Sequence, residues 1–141
     1  MTTLNPYLSF RDSARAAMDL YESVFGGTLT RSTFAEFHTS DDPAEGDKIM
    51  HSALTTDSGM VLMAADTPNS MELSPGSSFS VSLSGDDEAE LNGYFEKLAA
   101  GGTVLQPLAK APWGDSFGML VDPFGVTWLV NIAGPGSAPT E

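Results

Sequence analysis

The sequence predicts an α+β protein made of two βαβββ modules whose sheets surround a shared concave space. Three observations support this: an internal repeat, the same order of strand and helix patterns in both copies, and a glycine-containing hairpin near each copy's end. We place the first module at residues 1–66, a linker at 67–78, the second module at 79–132 and a disordered tail at 133–141. The 141 residues, 41% of them hydrophobic, are expected to form one domain overall.

The repeat aligns residues 4–32 with residues 79–107 at a shift of 75 and without a gap. The identical pairs are Leu8/Leu83, Ser9/Ser84, Asp12/Asp87, Ala14/Ala89, Gly26/Gly101, Gly27/Gly102 and Thr28/Thr103. They fall where strands and helices are expected to begin or end, which favours a structural duplication.

Each copy opens with an alternating segment, residues 5–10 or 79–83, that predicts a strand with one apolar face. Asp12 and Asp87 follow and are expected to cap the N-termini of two helices. Apolar residues then recur at the helical period, and a Gly-Gly pair ends each helix. The expected core positions are Ala14, Ala17, Met18, Tyr21, Val24, Phe25, Leu91, Tyr94, Phe95 and Leu98.

Three more strands are expected in each copy. Residues 28–37 and 103–108 follow the helices, and "SALTTDSGMVLMA" and "GMLVDPFGVTWLV" predict hairpins that correspond at a shift of 66. Gly59 and Gly125 occupy the two hairpin turns, and Asp122 is expected to fix the second turn.

Composition excludes several classes of partner. The net charge is −13 with six Lys and Arg residues, which argues against nucleic acid and against an anionic membrane surface. The absence of cysteine excludes disulfides, thiolate metal sites and a cysteine nucleophile. The sequence contains neither an apolar run of membrane length nor a secretory signal, so we expect a cytoplasmic protein. The acidic balance is compatible with a cationic ligand and with a surface that is acidic for solubility.

The segments "PYLSF", "LYESVFGG", "IMHSAL" and "WGDSFGMLVDPFGVTWLV" resemble the vicinal oxygen chelate superfamily, which includes glyoxalases, bleomycin-resistance proteins and extradiol dioxygenases. Within it they look like the PhnB-like branch, whose members often carry a demethylubiquinone-methyltransferase-like label. The resemblance covers residues 4–132 and implies a cup-shaped mixed sheet and a homodimer. It leaves the activity open, because this fold hosts isomerases, dioxygenases, transferases and drug-binding proteins.

The resemblance also implies a divalent metal held by His, Glu or Gln at four strand positions. Those positions correspond here to Asn5, Met63, Ser80 and Leu129. None of the four is an imidazole or a carboxylate, so we expect no metal cofactor and disfavour metal-dependent isomerisation or ring cleavage.

Strand alternation predicts that a set of polar and flexible side chains faces the cup and binds a small, moderately polar organic molecule. The candidate ligand-binding residues are Asn5, Tyr7, Met63, Ser80, Ser82, Leu129 and Asn131, with Trp113 at the rim. His51 is the only histidine in an expected strand and is the candidate general base, although it lacks a partner identifiable from sequence and also fits a structural role. Glu36 and Asp66 are expected to be solvated surface charges.

Three functions stay open at this point. The first is a metal-independent enzyme of the PhnB-like type, and the second is a non-catalytic protein that sequesters a cationic drug, as bleomycin-resistance proteins do. The third is a structural homodimer without a ligand.

Overall fold

The computed structural model describes residues 3–37, 40–73 and 79–134. These residues belong to two compact units, Met1–Pro75 and Gly76–Glu141, each with its own four-stranded sheet. The α+β class and the two βαβββ modules are confirmed. Residues 74–78 of the expected linker and residues 135–141 of the expected disordered tail lie outside the described residues.

Within its described residues, the first unit contains four strands, two helices and a 3-10 turn. In chain order these are β1 (Tyr7–Phe10), α1 (Ala14–Phe25), β2 (Thr28–Thr33), α2 (Phe34–Phe37), the 3-10 turn (Pro43–Glu45), β3 (Ile49–Thr55) and β4 (Val61–Asp66). The strand order in the sheet is β1-β4-β3-β2. β1 runs parallel to β4, whereas the β2–β3 and β3–β4 pairs are antiparallel.

The second unit repeats this plan without the extra short helices. Its elements are β5 (Val81–Gly85), α3 (Glu88–Ala99), β6 (Thr103–Lys110), β7 (Ser116–Val121) and β8 (Thr127–Ile132). The strand order is β5-β8-β7-β6, again with the first and last strands parallel. None of the helices within the described ranges is long and apolar enough to cross a membrane.

Each sheet has one buried face, which packs against the long helix of its unit. Burial alternates strictly along β4 and β8, because successive side chains of a strand point to opposite faces and only one face meets the helix. The buried apolar side chains of the first unit are Leu8, Phe10, Ala14, Ala17, Met18, Tyr21, Val24, Phe34, Ile49, Leu54, Leu62 and Ala64. Those of the second unit are Leu91, Phe95, Leu98, Leu120, Trp128, Val130 and Ile132.

The two long helices begin differently. Asp87 caps α3 as expected, since its side chain accepts a hydrogen bond from the Glu90 amide. The corresponding prediction for Asp12 is wrong: Ser13 occupies the N-cap of α1 and makes no capping hydrogen bond with its side chain. Asp12 instead adopts a φ of 66° and its carboxylate lies 2.8 Å from Lys48 Nζ, so an ion pair with a distant residue replaces the local cap.

Asp66 provides the acceptor that Asp12 does not. Its Oδ1 accepts a hydrogen bond from the Ala14 amide at 2.9 Å, and its Oδ2 accepts one from the Ile49 amide at 2.9 Å. Asp66 is only 7% exposed, so the expectation of a solvated surface charge is wrong. One carboxylate at the end of β4 thereby joins the start of α1 to the start of β3.

A buried glutamate joins the 3-10 turn to the segment after β4. Glu45 is 4% exposed, and its carboxylate accepts hydrogen bonds from Lys48 Nζ, Ser40 Oγ and the Asn69 amide at 2.7, 2.7 and 2.8 Å. These hydrogen bonds, that from Lys48 foremost, lower the pKa of Glu45 from 4.5 to about 2. The pKa of Lys48 is raised, first by its hydrogen bond to Asp12 and then by that to Glu45.

Several strand boundaries differ from those expected, and β5 and β6 each extend two residues further, to Gly85 and Lys110. β1 begins at Tyr7 and β5 at Val81, so Asn5 and Ser80 precede the strands to which they were assigned. The strand expected over residues 28–37 ends at Thr33, and the remaining residues form the short helix α2. There Thr33 and Glu36 exchange hydrogen bonds between side chain and backbone in both directions, which is a capping box that starts a helix. Glu36 is exposed, as expected.

The "DPFG" turn between β7 and β8 confirms the role expected for Asp122. Its Oδ1 accepts hydrogen bonds from the amides of Phe124 and Val126, at 2.8 and 3.1 Å. Its Oδ2 accepts one from the buried indole Nε1 of Trp128 at 2.9 Å. Gly125 has a φ of 90°, a conformation that glycine adopts without steric cost.

Candidate functional site

The face of the first sheet that is turned away from α1 carries polar and flexible side chains, and we call it the first open face. Its members are Tyr7, Ser9, Thr30, Ser32, His51, Ala53, Met63 and Ala65. The strand register aligns Tyr7 with Met63, Met63 with Ala53, and Ala53 with Thr30, giving one row across four strands. His51 is aligned with Ser32 in the neighbouring row.

A tyrosine–histidine pair within hydrogen-bonding distance lies on the first open face. The Tyr7 hydroxyl lies 3.2 Å from His51 Nδ1, and the ring centroids are 5.8 Å apart at an interplanar angle of 36°. Tyr7 is 49% exposed, and partial burial raises the pKa of its phenol, which therefore stays protonated at neutral pH. Which group donates depends on the imidazole tautomer, but either way two groups capable of proton transfer lie within hydrogen-bonding distance.

Sequence reasoning named both members of this pair without joining them. Tyr7 and His51 are 44 residues apart and lie on β1 and β3, with β4 between them in the sheet. The parallel pairing of β1 with β4, together with the antiparallel pairing of β4 with β3, brings Tyr7 to His51.

The second sheet has a comparable face, which we call the second open face. Its members are Ser82, Ser84, Gln106, Ala109, Phe117, Met119, Leu129 and Asn131. Ser82 is aligned with Leu129, Leu129 with Met119, and Met119 with Gln106. β7 contributes Phe117 and Met119, which sequence reasoning omitted although the alternation within "FGMLV" indicates them.

The remaining candidate residues lie near these faces or tie them to the core. Asn131 Nδ2 donates a hydrogen bond to Oδ2 of the buried Asp115 at 3.1 Å, which fixes the amide. Trp113 lies in the loop before β7, is 65% exposed, and has its ring 6.4 Å from that of Phe117. Asn5 donates to Thr3 Oγ1 at 3.2 Å just before β1, and Ser80 is exposed just before β5.

The fold and the sequence together define a class of protein. The chain matches the Glyoxalase/Bleomycin resistance protein/Dioxygenase superfamily over residues 3–130 and belongs to it. It is 30% identical over 139 residues to the protein YjdN of Escherichia coli K12, covering 92% of this chain and 94% of YjdN.

Two solved structures are also similar along nearly their whole length. Protein PA1353 from Pseudomonas aeruginosa is 39% identical with a TM-score of 0.79, covering 94% of this chain and 98% of that one. The PhnB protein from Bacillus cereus, provisionally named a 3-demethylubiquinone-9 3-methyltransferase, is 26% identical with a TM-score of 0.72. That alignment covers 94% of this chain and all of the Bacillus chain.

The four residues that the resemblance implies as counterparts of metal ligands do not offer a donor set suited to a divalent ion. Met63 offers a soft thioether and Leu129 offers no donor atom, while Asn5 and Ser80 lie outside the strands. Within residues 3–37, 40–73 and 79–134, no three His, Cys, Asp or Glu side chains are grouped so as to hold a metal ion.

Proposed function

We propose that this protein binds a small, moderately polar organic molecule on an open face of one of its sheets and does so without a metal ion. The observation that carries the proposal is the Tyr7–His51 hydrogen bond on the first open face. A histidine and a half-exposed tyrosine next to Met63 offer hydrogen-bonding groups beside flexible apolar area. Ligand sites commonly combine apolar surface with a few polar groups of this kind.

The second open face supports the same proposal with different groups. Ser82, Gln106 and Asn131 supply hydroxyl and amide groups, and Leu129 and Met119 supply apolar surface. Hydrogen bonds of this neutral type contribute about 0.5–1.5 kcal/mol each, which suits a ligand that is neutral or carries little charge.

If the protein is an enzyme of the PhnB-like type, we propose that His51 accepts or donates the proton and that Tyr7 orients the imidazole. Both groups exchange protons with a bound substrate only within hydrogen-bonding distance of it. The methyltransferase name of the Bacillus relative makes group transfer one reaction to assay.

The second candidate is sequestration of a cationic drug, and the net charge of −13 favours it because acidic surfaces raise the local concentration of cations. A bleomycin-type glycopeptide is then expected to raise the melting temperature at one equivalent without forming a product. No stabilisation by this cationic probe removes the sequestration hypothesis. The homodimer stays a prediction, and a light-scattering mass of one chain rather than two contradicts it.

The main proposal is tested by titrating a library of small polar compounds into 15N-labelled protein and following the backbone amides. We expect hits to shift the amides of Tyr7, Ala53 and Met63 and to saturate. Tyr7→Phe is expected to weaken these hits about tenfold, because it removes one hydroxyl from the site.

The matched control is Tyr94→Phe. The Tyr94 hydroxyl donates to Glu90 on α3, on the other side of the second sheet from its open face, so its loss leaves ligand affinity unchanged. If both variants weaken binding equally, or if no hit shifts an open-face amide, the proposed site is wrong. For an assayed reaction, His51→Asn is expected to abolish turnover while leaving the fold intact. Retained turnover excludes His51 from the chemistry.

A further inference from the structure

A polar cavity of about 340 Å³ lies in the second unit, on the helix side of its sheet. Its lining comes from the start of α3, the end of β6, the loop before β7 and the end of β8, as follows: Glu88, Asn92, Leu108, Ala109, Lys110, Gly114, Ser116, Ile132, Ala133 and Gly134. Ser116 is aligned with both Lys110 and the buried Ile132, whereas Phe117 is aligned with Asn131. Because neighbours along a strand point to opposite faces, the row of Lys110, Ser116 and Ile132 faces away from the second open face. Ala109, at the edge of β6, is the one residue shared by this cavity and the second open face as described.

Two opposite charges line the cavity. Lys110 extends from β6 and Glu88 from the first turn of α3. In the described part of the chain neither side chain forms an ion pair, so the two charged groups are more than 4.0 Å apart. A gap between an ammonium and a carboxylate on the walls of one cavity leaves room for a ligand that carries both charges.

Four backbone amides around the cavity are already hydrogen-bonded. The Ala111 amide donates to the Asp115 carbonyl oxygen, and the Gly114 amide donates to that of Ala111. The Ala133 amide donates to the Gly85 carbonyl oxygen, and the Gly134 amide donates to Asp115 Oδ1. The buried Asp115 thus joins the β6–β7 loop to the end of β8 and holds two sides of the cavity in place. Recognition is therefore left to the side chains of Glu88, Asn92, Lys110 and Ser116.

A hydrogen bond within α3 orients the side chain of Asn92 for ligand recognition. Its Nδ2 donates to the Glu88 carbonyl oxygen at 2.9 Å, which fixes the amide plane within the first turns of α3. Its carbonyl oxygen is an acceptor, so Asn92 supplements the Glu88 carboxylate toward a donor such as an ammonium group.

The charge of the unit decides between ligand classes. Residues 79–134 contain seven Asp and Glu residues and two Lys residues, a net charge of −5. A simple anion is attracted by Lys110 but repelled by Glu88 and by this field. A simple cation is attracted by Glu88 and the field but leaves the Lys110 ammonium without a partner. A zwitterion places its carboxylate on Lys110 and its ammonium group on Glu88, with no net charge to oppose the field.

We propose that this cavity binds a small zwitterion of the α-amino acid class, independently of any ligand on the open faces. The volume fits this class, since it equals about eleven water molecules at ~30 Å³ each and lies at the lower end of small-molecule sites.

The test is a titration of 15N-labelled protein with L-serine, L-threonine and L-glutamine, each compared with its N-acetyl and its carboxamide derivative. The zwitterions are expected to shift the amides of Lys110, Ser116 and Ala133 in a saturable way. Loss of either charge is expected to weaken binding about tenfold, because each derivative lacks one charge-assisted contact.

Matched variants separate the site from the general acidity of the unit. Lys110→Gln and Glu88→Gln are each expected to weaken the zwitterions about tenfold, whereas Lys97→Gln and Glu96→Gln, outside the cavity lining, leave binding unchanged. The proposal is overturned if no zwitterion gives saturable shifts, if the derivatives bind as well as the zwitterions, or if Lys97→Gln acts like Lys110→Gln. Shifts confined to Ser82 and Leu129 overturn it as well and assign the binding to the second open face.

Discussion

Replacing Asp66 tests the claim that one buried carboxylate holds the first unit together. Asp66→Ala removes the acceptor of two buried amides, those of Ala14 and Ile49, each donating at 2.9 Å. A hydrogen bond to a charged group contributes about 1.5–3 kcal/mol net, and the carboxylate also lies at the N-terminus of α1, where negative charge is favourable. We therefore expect a loss of about 3–5 kcal/mol in the free energy of unfolding.

The conservative variant Asp66→Asn gives a graded result. Its amide keeps the shape and one acceptor oxygen, but its NH₂ group faces an N–H donor where the second carboxylate oxygen stood. About 2 kcal/mol is expected to be lost, between wild type and the alanine variant. Domains of this size have about 5–15 kcal/mol of stability in total, so both losses are measurable in urea.

The assay must report on the first unit. Both tryptophans, Trp113 and Trp128, belong to the second unit, so fluorescence is not the local probe. Native-state hydrogen exchange at the Ala14 and Ile49 amides is the suitable local probe. The protection of these amides is expected to fall more than that of the β7 amides. Asp57→Ala, at an exposed hairpin position, is the control and is expected to change stability by less than about 0.5 kcal/mol. If Asp66→Asn also stays within that limit, or if the Ala14 amide keeps its protection, the reasoning about Asp66 is refuted.

Three further predictions concern other contacts. Asp122→Ala removes the acceptor of two turn amides and of the Trp128 indole, and we expect chemical denaturation to show a loss of about 2–4 kcal/mol; an unchanged midpoint contradicts this role. Folding lowers the pKa of Glu45, so the ionised Glu45 carboxylate stabilises the folded protein. This stabilisation is full above pH 4.5 and is lost as the pH falls toward about 2. The difference in melting temperature between wild type and Glu45→Gln should therefore shrink across that range, and a constant difference argues against it. Gly118→Ala places a Cβ 2.8 Å from the backbone of Leu108 and from the Phe95 ring, so calorimetry should show a loss of about 1–3 kcal/mol.

The parts of the fold that could be predicted from the sequence are those fixed by contacts between residues close together in the chain. Asp87 caps α3 through the amide three residues on, and Asp122 builds a turn from amides two and four residues on. Such contacts depend on spacing alone, so a pattern suffices. The cap expected at Asp12 was equally plausible by spacing, but the prediction was wrong because of two residues distant in sequence. Lys48 forms an ion pair with the Asp12 carboxylate, and Asp66 accepts the hydrogen bond from the Ala14 amide at the start of α1.

The candidate site was predictable residue by residue but not as an arrangement. Alternation placed Tyr7 and Met63 on one face, and the register of β1 and β4 makes them neighbours. The Tyr7–His51 pair depends on the strand order, which sequence patterns do not specify. Asn5 and Ser80 were assigned to strands because the alternation extends past the point where the sheet hydrogen bonds begin. Whether these side chains bind a ligand stays a prediction.

The pairing of first with last strands has a consequence for biosynthesis. β1 leaves the ribosome before its partner β4, which ends only at Asp66. At about 5–20 residues per second, synthesis from the end of β1 to the end of β4 takes roughly 3–11 s. Throughout that interval β1, which carries the buried Leu8 and Phe10, lacks the strand that pairs with it. The same delay recurs while β5 waits for β8, so a nascent chain stalled before either closing strand presents an unfinished apolar edge to chaperones and to other nascent chains.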